Sequence, residues 1–156
     1  MVFAAGLGSR LRPLTDMIPK ALVPINGMPL LEHVLLKIKG AGIQDVVVNV
    51  HHFSQQIIDF LSSKENFGLS IQISDESNKL LETGGGLRKA LNLLGEAEPV
   101  LLHNVDILSN LDLSHLMASH CETDGATLVV SERTTSRYLL FDKDNTLAGW
   151  HNIKTN

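Results

Sequence analysis

The chain has 156 residues, 44% of them hydrophobic, 19% charged and 4% aromatic, with Cys121 as its single cysteine. That length and apolar content predict one domain over residues 1–156 with a real core, and exclude an intrinsically disordered chain or a scaffold stapled by disulfides. A net charge of −4 argues against a duplex nucleic-acid partner, and the absence of about 18 consecutive apolar residues argues against a membrane span.

Met1 to Ala5 read as a short first strand that turns at once into Gly6-Leu7-Gly8. The next stretch, punctuated by Pro13, Pro19, Pro24, Asn26, Gly27 and Pro29, is too broken for a long helix. Leu30 to Lys39 carries apolar residues at helical spacing and stops at Gly40 and Gly42. Gln44 to Val50 is a β-branched run, Ser54 to Ser63 an amphipathic helix with Ser54 as its N-cap, and Leu69 to Ser74 an alternating strand. After a polar loop, Asp75 to Lys79, the pattern predicts a helix over Gly84 to Leu94, a strand over Pro99 to His103, a helix over Leu111 to Cys121 and a strand over Ala126 to Ser131. Arg137 to Phe141 and Thr146 to Trp150, joined by Asp142-Lys143-Asp144-Asn145, read as a hairpin whose apolar, unpaired edge favours a homo-oligomer.

Alternating strands and helices imply an α/β fold with a doubly wound, mainly parallel sheet and right-handed crossovers. Ligands of such sheets bind beyond the carboxyl ends of the strands, where the winding reverses. The loop after the first strand, Gly6 to Thr15, joins glycines to Arg10 and Arg12. Residues 1 to 31 hold Arg10, Arg12 and Lys20 against the single acid Asp16, so this end is electropositive in an acidic protein. Glycine amides and an arginine fork are the groups that bind phosphate, while a plain turn with solvated arginines remains the alternative. The dinucleotide fingerprint fails at Leu11 and lacks a ribose-binding acid, with Asn49 or His51 in its place; the P-loop pattern fails at Leu11-Arg12. His51-His52 and His115 with His120 do not have zinc-ligand spacing, and Cys121 has no evident base beyond His120.

Ala4-Ala5-Gly6-Leu7-Gly8-Ser9-Arg10-Leu11-Arg12-Pro13-Leu14-Thr15, followed by Ile18-Pro19-Lys20-Ala21-Leu22-Val23-Pro24, resembles the signature of sugar-phosphate nucleotidyltransferases, of the NDP-sugar pyrophosphorylase type. The similarity continues through Gly84-Gly85-Gly86, Asp106 and Leu147 to Trp150. The resemblance implies a Rossmann-like fold and a reaction of an NTP with a sugar 1-phosphate that yields an NDP-sugar and pyrophosphate, with Mg²⁺ as cofactor. It implies Arg10 on the triphosphate, Lys20 between the two phosphates and Asp106 as metal ligand. Ala4, Ala5, Gly6, Gly8, Ser9, Glu76, Gly84 and Gly85 then form the nucleotide-binding set. Taken without the family, Lys20 reads equally as solvated surface, Asp106 as a cap, and Thr83 to Gly86 as a tight connection.

Val105 departs from the family pattern, which has a very small residue before the aspartate, and this predicts crowding near the phosphate. In the family, chain beyond the hairpin supplies a second acidic metal ligand, and Asp112, Asp124, Asp142 and Asp144 do not stand in the context of that ligand. The expectation is therefore a domain truncated on its carboxyl-terminal side, located in the reducing cytoplasm. Its base and sugar stay open, and a non-catalytic nucleotide- or sugar-phosphate-binding module is the alternative to the enzyme.

Overall fold

The computed structural model describes residues 1–95, 99–121 and 123–155. The chain divides into two compact units, Met1–Cys121 and Glu122–Asn156.

In the first unit, β1 (Val2–Phe3) leads through a long loop to a small antiparallel ladder of β2 (Pro24–Ile25) and β3 (Met28–Pro29). Asn26 and Gly27 close that ladder with φ of 51° and 80°, the paired left-handed conformations of the turns that favour Asn-Gly. α1 (Leu30–Gly40) follows, burying Leu30, Leu31, Val34, Leu35 and Ile38 along one stripe. β4 (Asp45–Val50), α2 (Ser54–Ser63), β5 (Ser70–Asp75), α3 (Glu82–Leu94), β6 (His103–Asn104) and α4 (Leu113–Ala118) complete it.

The main sheet has the order β5-β4-β1-β6, and every pairing is parallel. The predicted doubly wound sheet is therefore present, with its reversal between β1 and β6. Alternation along β4 decides which side chain meets which layer. Val46, Val48 and Val50 join α1 and α2 in one apolar cluster, whereas Val47 joins Met1 and Ala90 of α3 in another. Helices thus cover both faces, and Asn49, which shares the parity of Val47, lies on the α3 side.

Several predicted bounds shift. Ser54 is not the cap of α2; that place belongs to Phe53, at φ 55°, and no side chain caps the end. α3 starts at Glu82 rather than Gly84. The strand read over Pro99 to His103 forms its ladder only at His103–Asn104, because β1 offers just Val2 and Phe3 as partners. The helix read over Leu111 to Cys121 shortens to Leu113–Ala118, started by Asp112, whose Oδ1 accepts the His115 N–H at 3.0 Å. Among the described residues, Ala126 to Ser131 form no strand; Leu128, Val129 and Val130 are exposed and no ladder reaches them. Strand propensity without a neighbouring backbone gives no sheet.

The second unit contains β7 (Arg137–Phe141) paired antiparallel with β8 (Leu147–Asn152), the predicted hairpin, with a register shift at Leu140/Phe141. Asp142 Oδ1 accepts the N–H groups of Asp144 and Thr146, both at 2.9 Å, and shapes the turn. Among the described residues no helix is long and apolar enough to cross a membrane.

Candidate active site

A cleft of about 1020 Å³ opens where β1 and β6 end side by side. Its bounding residues include Gly6, Gly8, Ser9 and Arg10 after β1, Lys20, Asp106 after β6, and Glu82 and Thr83 at the start of α3.

The loop after β1 is folded onto its own base. Gly8 has φ 65°, and a Cβ there would stand 2.8 Å from Thr15 Cγ2 and 3.0 Å from Lys20 Cβ, so only glycine fits. The Thr15 hydroxyl, 4% exposed as a residue, donates to the Gly8 carbonyl at 2.8 Å, and the Leu11 N–H reaches the same oxygen at 2.8 Å. This pins a short 3₁₀ turn, Ser9–Leu11, which carries Arg10 at the exposed rim of the cleft. Arg12 instead pairs with Asp16 at 3.4 Å in solvent. Among the described residues Arg10 has no ion-pair partner, and its guanidinium is available to an anion.

Lys20 opens a second 3₁₀ turn, Lys20–Leu22, behind Pro19. Its Nζ donates to Asp106 Oδ2 across 86 residues of chain, with the lysine side chain 18% and the aspartate side chain 41% exposed. Asp106 reaches the mouth because Val105, the residue after β6, donates its N–H to Phe3 O at 3.1 Å and packs into the core at 3% exposure. The bulk of Val105 is thus taken up largely by the core. His103, two residues before it, has its imidazole pKa lowered below 6.5, mainly by burial, against the opposing pull of the Asn104 carbonyl.

A buried polar cluster runs from Asn49, which borders the cleft floor, to Glu76 beneath it. Asn49 Oδ1 accepts the Ala4 N–H at 2.7 Å and the Ala5 N–H at 3.3 Å, while Asn49 Nδ2 donates to Glu76 Oε1 at 2.8 Å. Glu76 Oε2 accepts the Leu81 N–H at 3.1 Å, and the residue is 1% exposed. Gly86 of α3 packs over this pair; a Cβ there would stand 2.7 Å from Glu76 Oε1 and 3.0 Å from Asn49 Nδ2.

Of the sequence-predicted residues, Ala5, Gly6, Gly8, Ser9, Arg10, Lys20 and Asp106 therefore border one cleft. Ala4 and Ala5 have their amide protons turned to Asn49. Glu76 lies under the floor, with its carboxylate engaged internally. Gly84 is exposed on α3, and Gly85 sits against Leu81, 3.0 Å from where its Cβ would be. Neither of these glycines borders the cleft.

Sequence reasoning misses two cleft residues of interest. Asn49 interrupts the apolar run of β4, and a lone amide in a buried parallel strand is the signal that could have found it. Glu82, exposed at φ 58°, has no comparable signal. No group of three or more His, Cys, Asp or Glu side chains gathers among the described residues.

This fold and this cleft define an α/β protein with a doubly wound, parallel sheet and ligand space at the sheet's reversal point. The chain belongs to the nucleotidyl transferase family, whose model matches residues 1–145. It is 49% identical over 108 residues to the N-acetylmuramate alpha-1-phosphate uridylyltransferase of Caulobacter vibrioides, covering 68% of this chain and 44% of that protein. The enzyme of the same name from Neisseria meningitidis is 41% identical over 114 residues, covering 73% and 49% respectively. The UTP--glucose-1-phosphate uridylyltransferase of Synechocystis is 33% identical over 150 residues, covering 90% of this chain and 38% of that protein. The chain thus spans less than half the length of these relatives. In fold it is similar to HddC from Yersinia pseudotuberculosis, complexed with GMP-PN, at a TM-score of 0.75 and 22% identity, over 97% of this chain and 67% of that one.

Proposed function

We propose that this chain is the nucleotide-binding part of a sugar-1-phosphate nucleotidyltransferase of the cytoplasm, with residues 1–156 forming the amino-terminal part of a longer catalytic domain. The observation that carries the reading is the Lys20–Asp106 pair, standing at the mouth of a cleft beside a glycine loop that presents Arg10. In the reaction a phosphate oxygen of the sugar 1-phosphate attacks the α-phosphorus of the NTP. The bond to the β-phosphate oxygen breaks, and NDP-sugar and pyrophosphate leave. Two anions must approach to bonding distance, so cations placed between and beyond them lower the barrier.

Lys20 does the first of these tasks. Held between the loop and β6, its ammonium exchanges Asp106 for phosphate oxygens and holds the nucleophile in line. Arg10, which has no ion-pair partner among the described residues, takes the β- and γ-phosphates with its planar fork and stabilises the departing pyrophosphate. Gly6, Gly8 and Ser9 present a backbone that phosphate can approach closely. The Thr83 end of α3 borders the base and ribose, with Gly84 and Gly85 behind it.

Asp106 suits a hard divalent cation such as Mg²⁺: Oδ2 faces Lys20, and among the described residues Oδ1 has no hydrogen-bond donor. Magnesium ordinarily takes one or two carboxylates and fills its remaining positions with phosphate oxygens and water. Bound there, it would neutralise charge on the α-phosphate. Two relatives at 49% and 41% identity are named for uridylyl transfer to N-acetylmuramate 1-phosphate, and this supports UTP and that sugar phosphate as the first substrates to try.

The test is pyrophosphate release with each of ATP, GTP, UTP, CTP and dTTP, against N-acetylmuramate 1-phosphate and glucose 1-phosphate, for the chain and Asp106→Ala. Turnover that depends on one NTP, one acceptor and Asp106 supports the reading. A second reading, a binding module without turnover, is favoured by the absence, among the described residues, of any group of three or more His, Cys, Asp or Glu side chains that could hold a metal ion. Nucleotide binding with no pyrophosphate from any pair would select it.

A further inference from the structure

The buried amide–carboxylate pair of Asn49 and Glu76 joins two segments that the cleft needs at a fixed separation. Ala4 and Ala5 lead directly into the glycine loop, and Leu81 leads directly into Glu82 and Thr83 on the opposite wall. We infer that Asn49 and Glu76 are positioning residues that set the width of the nucleotide cleft by holding these two segments from beneath, a role that rests on the nucleotide-binding reading above.

The hydrogen-bond polarity leaves one arrangement. Backbone amides can only donate, so the Asn49 atom facing Ala4 and Ala5 is its oxygen, and the atom facing Glu76 is its NH₂. Glu76 must then accept on both sides: Asn49 Nδ2 on Oε1 and the Leu81 N–H on Oε2. Burying a carboxylate is costly, and an apolar pair would fill the space with less desolvation. No apolar pair could take the three backbone amide protons at the two cleft walls. Further contacts tie Glu76 to the sheet end: its N–H donates to Val50 O at 2.7 Å, and its carbonyl meets His51 Nδ1 at 2.7 Å. Gly86 closes the cluster from above with no room for a Cβ. Glu76 lies beneath the floor, and Asn49, though it borders the cleft, has its Oδ1 and Nδ2 engaged by Ala4, Ala5 and Glu76, so the pair determines through the backbone how far apart the walls stand.

Exchanging the two functional groups tests this. Asn49→Asp keeps an acceptor for Ala4 and Ala5 but sets two carboxylates face to face. Glu76→Gln leaves one new NH₂ aimed at either Asn49 Nδ2 or the Leu81 N–H. In the double variant the new carboxylate at 49 accepts from Ala4, Ala5 and the new amide at 76, whose oxygen accepts from Leu81, so every donor again meets an acceptor.

The chain, both single variants, the double variant and Gly86→Ala are titrated calorimetrically with ATP, GTP, UTP, CTP and dTTP in Mg²⁺ buffer, at a temperature where circular dichroism shows each folded. Each single variant is expected to weaken the preferred nucleotide by about ten-fold or more, with the double variant back within about three-fold of the parent. Folded single variants with parental affinity and only a lowered Tm would make the pair merely structural and overturn the inference, as would a double variant no tighter than the weaker single. If both single variants unfold, Gly86→Ala decides: weakened binding by a folded protein supports the inference, and parental affinity overturns it. A parent chain that binds none of the five nucleotides fails the functional reading first and takes the inference with it.

Discussion

The Lys20–Asp106 pair and the Asn49–Glu76 pair each join residues distant in sequence, yet they are built in opposite ways. The first is partly open to solvent, with the Lys20 and Asp106 side chains 18% and 41% exposed, and among the described residues Asp106 keeps one oxygen uncommitted. The second is closed off, at 2% and 1% exposure, with its acceptors turned to backbone amides. On the proposed reading Lys20 and Asp106 exchange partners with a substrate, and a partly exposed ion pair is displaced at small cost. Groups that hold geometry are placed where an orphaned donor costs about 1–3 kcal/mol, so they stay put.

The largest expected effects test that division directly. Lys20→Ala or Asp106→Ala should lower nucleotidyl transfer by a factor on the order of 10²–10³ and lower the Tm only modestly, because each removes charge stabilisation at the reacting phosphates but only a partly exposed pair from the fold. Glu76→Ala should do the reverse to stability: it orphans Asn49 Nδ2 and the Leu81 N–H and costs about 3 kcal/mol in denaturant unfolding. Equal Tm losses for all three variants would erase the distinction. Next in size is Gly8→Ala, which forces a Cβ into Thr15 at a φ of 65°. It should destabilise by about 1–2 kcal/mol and weaken nucleotide binding, since the strain falls on the loop that carries Arg10; a variant with parental Tm and affinity would show that the loop yields freely.

A smaller effect is expected at His103 on β6. Burial lowers its folded-state pKa below 6.5, its ordinary value in an unfolded chain. Between those two values the unfolded chain binds a proton that the folded chain refuses, so protonation favours unfolding. The contribution is full above about pH 6.5, declines as pH falls through that value and levels off below the folded pKa. His103→Gln should flatten the fall in stability between about pH 7 and 5, measured by chemical denaturation. An unchanged slope would place the acid sensitivity elsewhere.

Much of this was legible in the residues, for reasons that differ by element. α1 and α2 were readable because their buried stripes, Leu31-Val34-Leu35-Ile38 and Ile57-Leu61, repeat at helical spacing against a sheet. The loop after the first strand was readable as a ligand site because parallel sheets bind beyond their strand ends, while its adjacency to Asp106 came only with the pairing of β1 and β6. Ala126 to Ser131 shows the limit: a run rich in strand formers stays out of any ladder, because pairing depends on a neighbour that local sequence does not report. Phe53 replacing Ser54 at the cap of α2 is a similar case, since the left-handed residue takes the end before a hydroxyl can. The role of Glu76 was hidden for another reason. A loop acid is usually solvated, and only the fold brings Asn49 and the Leu81 amide to it.

The finest probe of the comparison is Ser74, which stands in register with Asn49 on β5. It is 2% exposed, and among the described residues its Oγ has no hydrogen-bond partner, so the buried polar layer is satisfied at Asn49 on β4 and unsatisfied at its partner on β5. An unmade buried hydroxyl bond is a cost to the folded state. Ser74→Ala should therefore be neutral or stabilise the chain by up to about 1 kcal/mol, and should leave nucleotide affinity at the parental value. A destabilised Ser74→Ala with weakened nucleotide binding would instead extend the positioning cluster from Asn49 and Glu76 to a third strand position. The hydroxyl would then need a partner that forms only when the cleft is filled.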